Sequence, residues 1–169
     1  LSDFLHILFS FGENKSIFYR KEKNMVPEKL PESELLQYVY KTADMGVEGI
    51  AAVLDYTDSS ELKKVLRDQM SEYVRYKDQA GQMLTAMGAE LTGANPIAKI
   101  SSSAMATGKL MMDRSASKIA EMTIQGNSMG VSKTIKHLHA YAANDDARKL
   151  TEQLLATEKA NIEQLKPFL

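Results

Sequence analysis

Four stretches of this chain place apolar residues alternately three and four positions apart, and one tripeptide, Met-Gly-Val, recurs at matching points of two of them. That spacing is the period of an α-helix with one buried face, and it leaves few other folds open. In the first stretch Leu36, Tyr40, Ala43, Val47, Ile50 and Leu54 make one stripe, with Ser33 in position to cap its start and "TDSS" at 57–60 to end it. The second, starting after Ser59 or Ser60, carries Leu62, Leu66, Gln69, Tyr73, Tyr76 and Ala80, then Met83 and Met87, and fades at "GAELTGANP". Asn95-Pro96 reads as a cap followed by Pro at the first helical position, opening a short helix over about 96–112. A further helix runs from about Ser115 to Ala142, and Asn144 is placed to cap a last one bearing Ala147, Leu150, Leu154, Glu158, Asn161 and Leu165. Only 4 Pro interrupt a chain rich in Ala, Met, Leu, Lys and Glu, all good helix formers.

The recurrence of Met-Gly-Val, at Met45-Gly46-Val47 and Met129-Gly130-Val131, predicts one structural unit written twice. Gly46 and Gly130 stand 84 positions apart, and the same offset pairs Val47 with Val131 and Leu54 with Leu138. In the next helix of each half an offset of 85 pairs Val65 with Leu150, Tyr73 with Glu158 and Tyr76 with Asn161. We therefore expect an all-α four-helix bundle of two hairpins, about 34–57/60–88 and 115–142/145–166, joined by a crossover long enough to traverse the bundle. Gly46, Gly49, Gly126 and Gly130 each cost about 1 kcal/mol relative to Ala inside a helix. Close approach of two helix backbones offsets that cost, so the sequence predicts a crossing near Gly46 and Gly130; a local kink is the alternative.

Residues 31–169 form the expected bundle domain, and 1–30 an N-terminal extension outside it. The first 24 residues are aromatic and unlike the rest. Lys21-Glu22 back-translates to AAG-GAG, a ribosome-binding sequence, two codons ahead of the ATG of Met25. We expect residues 1–24 to be translated upstream DNA and Met25 the start, with a genuine N-terminal arm as the alternative.

Several function classes fall away on composition. With 21 Lys+Arg against 22 Asp+Glu the chain has no electrostatic case for nucleic acid. No apolar run approaches the roughly 20 residues of a membrane span. The chain has 0 Cys, which removes thiolate chemistry and suits a reducing cytoplasm, the expected location. No Gly-rich phosphate loop and no nucleophile elbow is present.

Two hairpins with a long crossover, and stretches such as "YKTADMGVEGI" and "EMTIQGNSMGV", resemble small uncharacterised bacterial ferritin-like proteins over about Glu32 to Leu165. In metal-binding members of that family each hairpin supplies a Glu from its first helix and Glu-x-x-His from its second. Here the second hairpin has Glu158 and Asn161, an amide where the imidazole belongs, with Glu121 or Gln125 upstream. The first hairpin has Tyr73-x-x-Tyr76 after Tyr40 or Lys41, or in another register Glu72-x-x-Arg75. His137 and His139 lie about 200° apart on a helix and cannot chelate one ion together. The resemblance therefore implies a degenerate metal site. We expect no cofactor and no catalysis, a core polar cluster of Tyr73, Tyr76, Glu158 and Asn161, and a role in homodimerisation or protein-partner binding. The alternative is iron held by a reduced set, Glu121, Glu158 and Asn161.

Overall fold

A computed structural model of the chain describes residues 29–93 and 113–169. The expected short helix over 96–112, and residues 1–24, lie outside the described residues. Those described contain four helices and no strand: α1 (Glu32–Leu54), α2 (Ser60–Ala86), α3 (Ala116–Ala140) and α4 (Asp146–Leu165), with a closing 3-10 turn Lys166–Phe168. None of these helices is long and apolar enough to cross a membrane.

The helix ends follow from local chemistry. Ser59 Oγ accepts from Leu62 N, Ser115 Oγ from Lys118 N and Asp145 Oδ1 from Arg148 N. Each such cap stabilises its helix by about 1 kcal/mol. Asn144 is thus not the cap of α4; the residue after it has the reach to Arg148 N. Nor does Ser33 cap α1. That helix begins at Glu32 behind Pro31, with no side-chain cap, and Glu32 and Glu34 set negative charge against its N-terminal dipole. At the far end of α2, Gly88 takes φ +71°, Gly88 N donates to Thr85 O and Ala89 N to Leu84 O. This Schellman closure needs a left-handed residue, which Gly supplies without strain.

Each hairpin packs on itself, α1 on α2 and α3 on α4, and the hairpins meet through α1–α3, α1–α4 and α2–α4. Direction is fixed by bonds between hairpins. Leu30 N donates to Ala140 O, and Tyr38 bonds Thr134, so α1 and α3 run antiparallel. Gln69 bonds Asn161 O and Gln164, and Tyr76 bonds Thr157, so α2 and α4 do too. The order is up, down, down, up. The connection from α2 to α3 therefore leaves one end of the bundle and arrives at the other, about 40 Å away for a helix the length of α2. Its first residues set off along α1: Thr92 O accepts from Gln37 Nε2, and Gly93 lies beside Asp44.

Leu35, Leu36, Leu62, Leu66, Ile119 and Leu154 are fully buried at the centre, each contributing about 1.5–3 kcal/mol of burial. On α1 the buried face is turned from the expected stripe. Leu35, Val39 and Val53 are buried, whereas Tyr40, Val47 and Leu54 are only partly so. On α2 the expected stripe holds as far as Ala80, but Met87 is exposed beyond the end of the helix.

Candidate functional site

Two glycines on the first helices of the hairpins make room for two side chains on the second. A Cβ on Gly46 would lie 2.6 Å from Cγ of Tyr73, and one on Gly130 would collide with Glu158 Oε1 and come within 2.7 Å of its Cδ. These are equivalent positions of the two halves, 84 and 85 apart. What fills the missing volume is a side chain of the hairpin mate, not the backbone of the facing helix. Gly49 and Gly126 differ, since among the described residues nothing comes within 4 Å of a Cβ placed on either.

Around Tyr73 and Glu158 the core turns polar. Tyr73 Oη donates to Asn127 Oδ1 at 2.6 Å, and Asn127 Nδ2 donates to Thr123 O at 3.0 Å. Thr134 Oγ1 lies 3.0 Å from Glu158 Oε2, 3.0 Å from Gly130 O and 2.7 Å from Tyr38 Oη. Thr134 has one proton to give. With Glu158 ionised, that proton goes to Oε2 and Tyr38 donates to Thr134. Burial pushes the Glu158 carboxyl up to about 7, with the Thr134 hydroxyl pulling the other way. Burial, then the nearby Glu158 charge, also holds the Tyr73 phenol well above its usual value. Tyr38 is further fixed by stacking on His137, ring centroids 3.7 Å apart.

These groups form one end of a cavity of about 340 Å³ between α1 and α3. Glu158, Tyr38, Tyr73 and Asn127 line its polar end; Met45, Ile50, Val53, Met122 and Met129 line the rest. Met45 and Met129 stand 48% and 56% exposed at its mouth, so the cavity opens to solvent between the two Met-Gly pairs. Gly49 and Gly126 lie along the same seam.

The four members of the expected polar cluster are all buried, and Tyr73 feels Glu158, Asn161 and Tyr76 together, though their best hydrogen bonds go to other groups. Tyr76 bonds Thr157 at 2.7 Å beneath the Arg75 guanidinium. Asn161 offers its backbone O to Gln69 Nε2, while its own Nδ2, beside the Tyr73 hydroxyl, and Gln69 Oε1 complete no hydrogen bond among the described residues. Tyr38, Asn127 and Thr134 complete the network and are not among the expected site residues. A signal existed: Asn127, Gly130 and Thr134 repeat at helical spacing along α3, polar or small where an inward stripe should be apolar.

The reduced iron set does not assemble. Glu121 is exposed and paired with Lys118 at 2.6 Å. It stands about 13 Å along α3 from Gly130, the glycine over Glu158. Asn161 turns a donor inward, and no group of three His, Asp or Glu side chains among the described residues could hold a metal ion. One buried carboxylate beside phenols can accept hydrogen bonds and neutralise a single positive charge. Comparison of the chain with protein-family models, curated proteins and solved structures gives no match.

Proposed function

We propose that the protein is a non-catalytic, ferritin-like helical bundle that works by association through the face formed by α1 and α3, with a second copy of itself as the partner. The up-down-down-up order with one long crossover is the arrangement of ferritin-like folds, which supports that kinship. A bacterial cytoplasmic setting is the one a cysteine-free chain of this texture suits. Support for a non-catalytic role comes from the bundle centre, where a phenol and an amide occupy positions that would otherwise carry a carboxylate and an imidazole.

The observation that carries the association is the contrast among the four glycines. Gly46 and Gly130 recover their helix cost through Tyr73 and Glu158. Gly49 and Gly126 recover nothing among the described residues, yet they line the seam flanked by exposed Met45 and Met129. A second backbone brought close to that seam would use the space, and flexible Met side chains adapt readily to a partner surface. Sedimentation velocity over a concentration series tests this. A concentration-dependent dimer is expected, shifted toward monomer by Met129→Lys or Gly126→Leu. Monomer at every concentration refutes it.

A further inference from the structure

The cavity beneath that face holds one group whose bonding the bundle leaves incomplete. Glu158 is 1% exposed, and its Oε2 accepts from Thr134. Among the described residues no donor reaches Oε1, which lies in the space above Gly130 on the cavity side. The neighbouring donors are committed elsewhere. Tyr73 gives its proton to Asn127 Oδ1, Tyr38 gives its to Thr134, and Asn127 Nδ2 bonds Thr123 O. The open acceptor at the polar end of the cavity is therefore the Glu158 carboxylate, while the cation lining the cavity, Lys133, stands exposed to solvent. The chemical group that fits is rich in donors, lacks acceptors and carries one positive charge, which describes an ammonium. Behind it Met45, Ile50, Val53, Met122 and Met129 give an apolar body somewhere to lie. At about 340 Å³ the cavity is at the small end of the roughly 300–1,000 Å³ range of ligand pockets.

We infer that this cavity is a binding site for a small organic ammonium ion, a primary amine on a short aromatic or alkyl body, with the ammonium on Glu158 Oε1 and the body among the methionines. The inference rests on reading the α1/α3 seam as a binding face. A charged pair formed there, out of water, is stronger than one at the surface, and the aromatic rings of Tyr38 and Tyr73 add cation–π attraction. The charged and titratable groups around Glu158 are few. Tyr38 and exposed Glu48 come from α1, Tyr73 from α2 and exposed Lys133 from α3, whose His137 stacks on Tyr38.

The test uses the full chain labelled at its methionine methyls, titrated with 2-phenylethylamine at pH 8 and followed by NMR, with 2-phenylethanol as the neutral control. Saturable shifts are expected at Met45, Met122 and Met129, with the alcohol binding at least tenfold more weakly. Glu158→Gln should weaken the amine at least tenfold, and so should a change to pH 5.5, where the carboxyl is protonated while the amine stays charged. Gly126→Phe, made at an exposed position lining the cavity, should block binding whether or not the Gln variant folds. Equal binding of amine and alcohol, unchanged affinity in Glu158→Gln or Gly126→Phe, shifts at other methyls, or no shift at millimolar amine would each overturn the proposal. Loss of the amine site alongside a Met129-dependent dimer would leave the association reading standing; amine binding by a strict monomer would do the reverse.

Discussion

Gly46 and Gly49 lie one turn apart on α1, yet replacing each by Ala should move stability in opposite directions. The intrinsic term is the same for both, a gain of about 1 kcal/mol from restoring a better helix former. At Gly49 the new methyl meets nothing within 4 Å among the described residues, so that gain should stand nearly alone. At Gly46 the methyl would sit 2.6–2.8 Å from Cγ, Cδ1 and Cδ2 of Tyr73, the root and flanks of the ring. The ring cannot step aside cheaply. It is 4% exposed, and its hydroxyl is held by Asn127 at 2.6 Å. Displacing it by the ångström or so that contact requires costs about 1–3 kcal/mol in overpacking. Stretching the Tyr73–Asn127 bond costs about 1 kcal/mol more. The net loss is about 1–3 kcal/mol, a separation of roughly 2–4 kcal/mol between the two variants. Urea titration with a shared m-value measures it, and a thermal scan should place Gly49→Ala about 3 °C above the parent. In a Tyr73→Ala background the penalty at Gly46 should vanish, because the colliding ring is gone. If Gly46→Ala proves as stable as Gly49→Ala with Tyr73 intact, the account of these glycines is wrong.

Two further outcomes follow from the polar centre. Glu158 is held at about 7 against 4.5 for a solvated carboxyl, so between those values the folded state keeps a proton the unfolded state has lost. Stability should therefore fall as pH rises through that window, by roughly 3 kcal/mol in all, and Glu158→Gln should flatten this part of the profile and be the more stable form at pH 8. Tyr73→Phe should cost about 1–3 kcal/mol because it leaves buried Asn127 Oδ1 without a donor. Tyr76→Phe should cost less, since its partner Thr157 is only partly buried and can turn to water; equal losses for the two would contradict the network as drawn.

The helices were legible because each buries a stripe long enough to repeat its period several times. Their ends were less so. A cap is decided by which of two adjacent polar residues reaches a backbone N–H, and Asp145 rather than Asn144 meets Arg148 N for reasons of one dihedral step. The turn of the α1 face by one position came from Tyr40, an aromatic residue on the expected stripe that is only partly buried, beside Gly81 and Leu91. At the site, Glu158, Asn161 and Tyr73 announced themselves as polar residues on inward stripes. Their partners were less plain: Asn127 and Thr134 share an inward stripe of α3 with Gly130, but which side chain each meets depends on how far one helix is rotated and slid against another. Periodicity within a helix carries no record of that phase. The repeat did carry one piece of it, since Gly46 with Tyr73 and Gly130 with Glu158 are the same contact made twice.

That duplication sharpens what the centre can hold. Two carboxylates at these equivalent positions would repel each other in a buried space unless a multiply charged cation lay between them. With Tyr73 on one side both halves have the same backbone accommodation, but only one of the two equivalent positions carries an acid. A divalent ion would leave excess positive charge in an apolar surround, whereas one hydroxyl donor holds the lone acid in place with its other oxygen free. The asymmetry between the halves therefore matches the singly charged occupant proposed above. It also explains how a neutral, protonated Glu158 can exist when the cavity holds only water, which is why the amine and the pH dependence should be coupled through this single carboxyl.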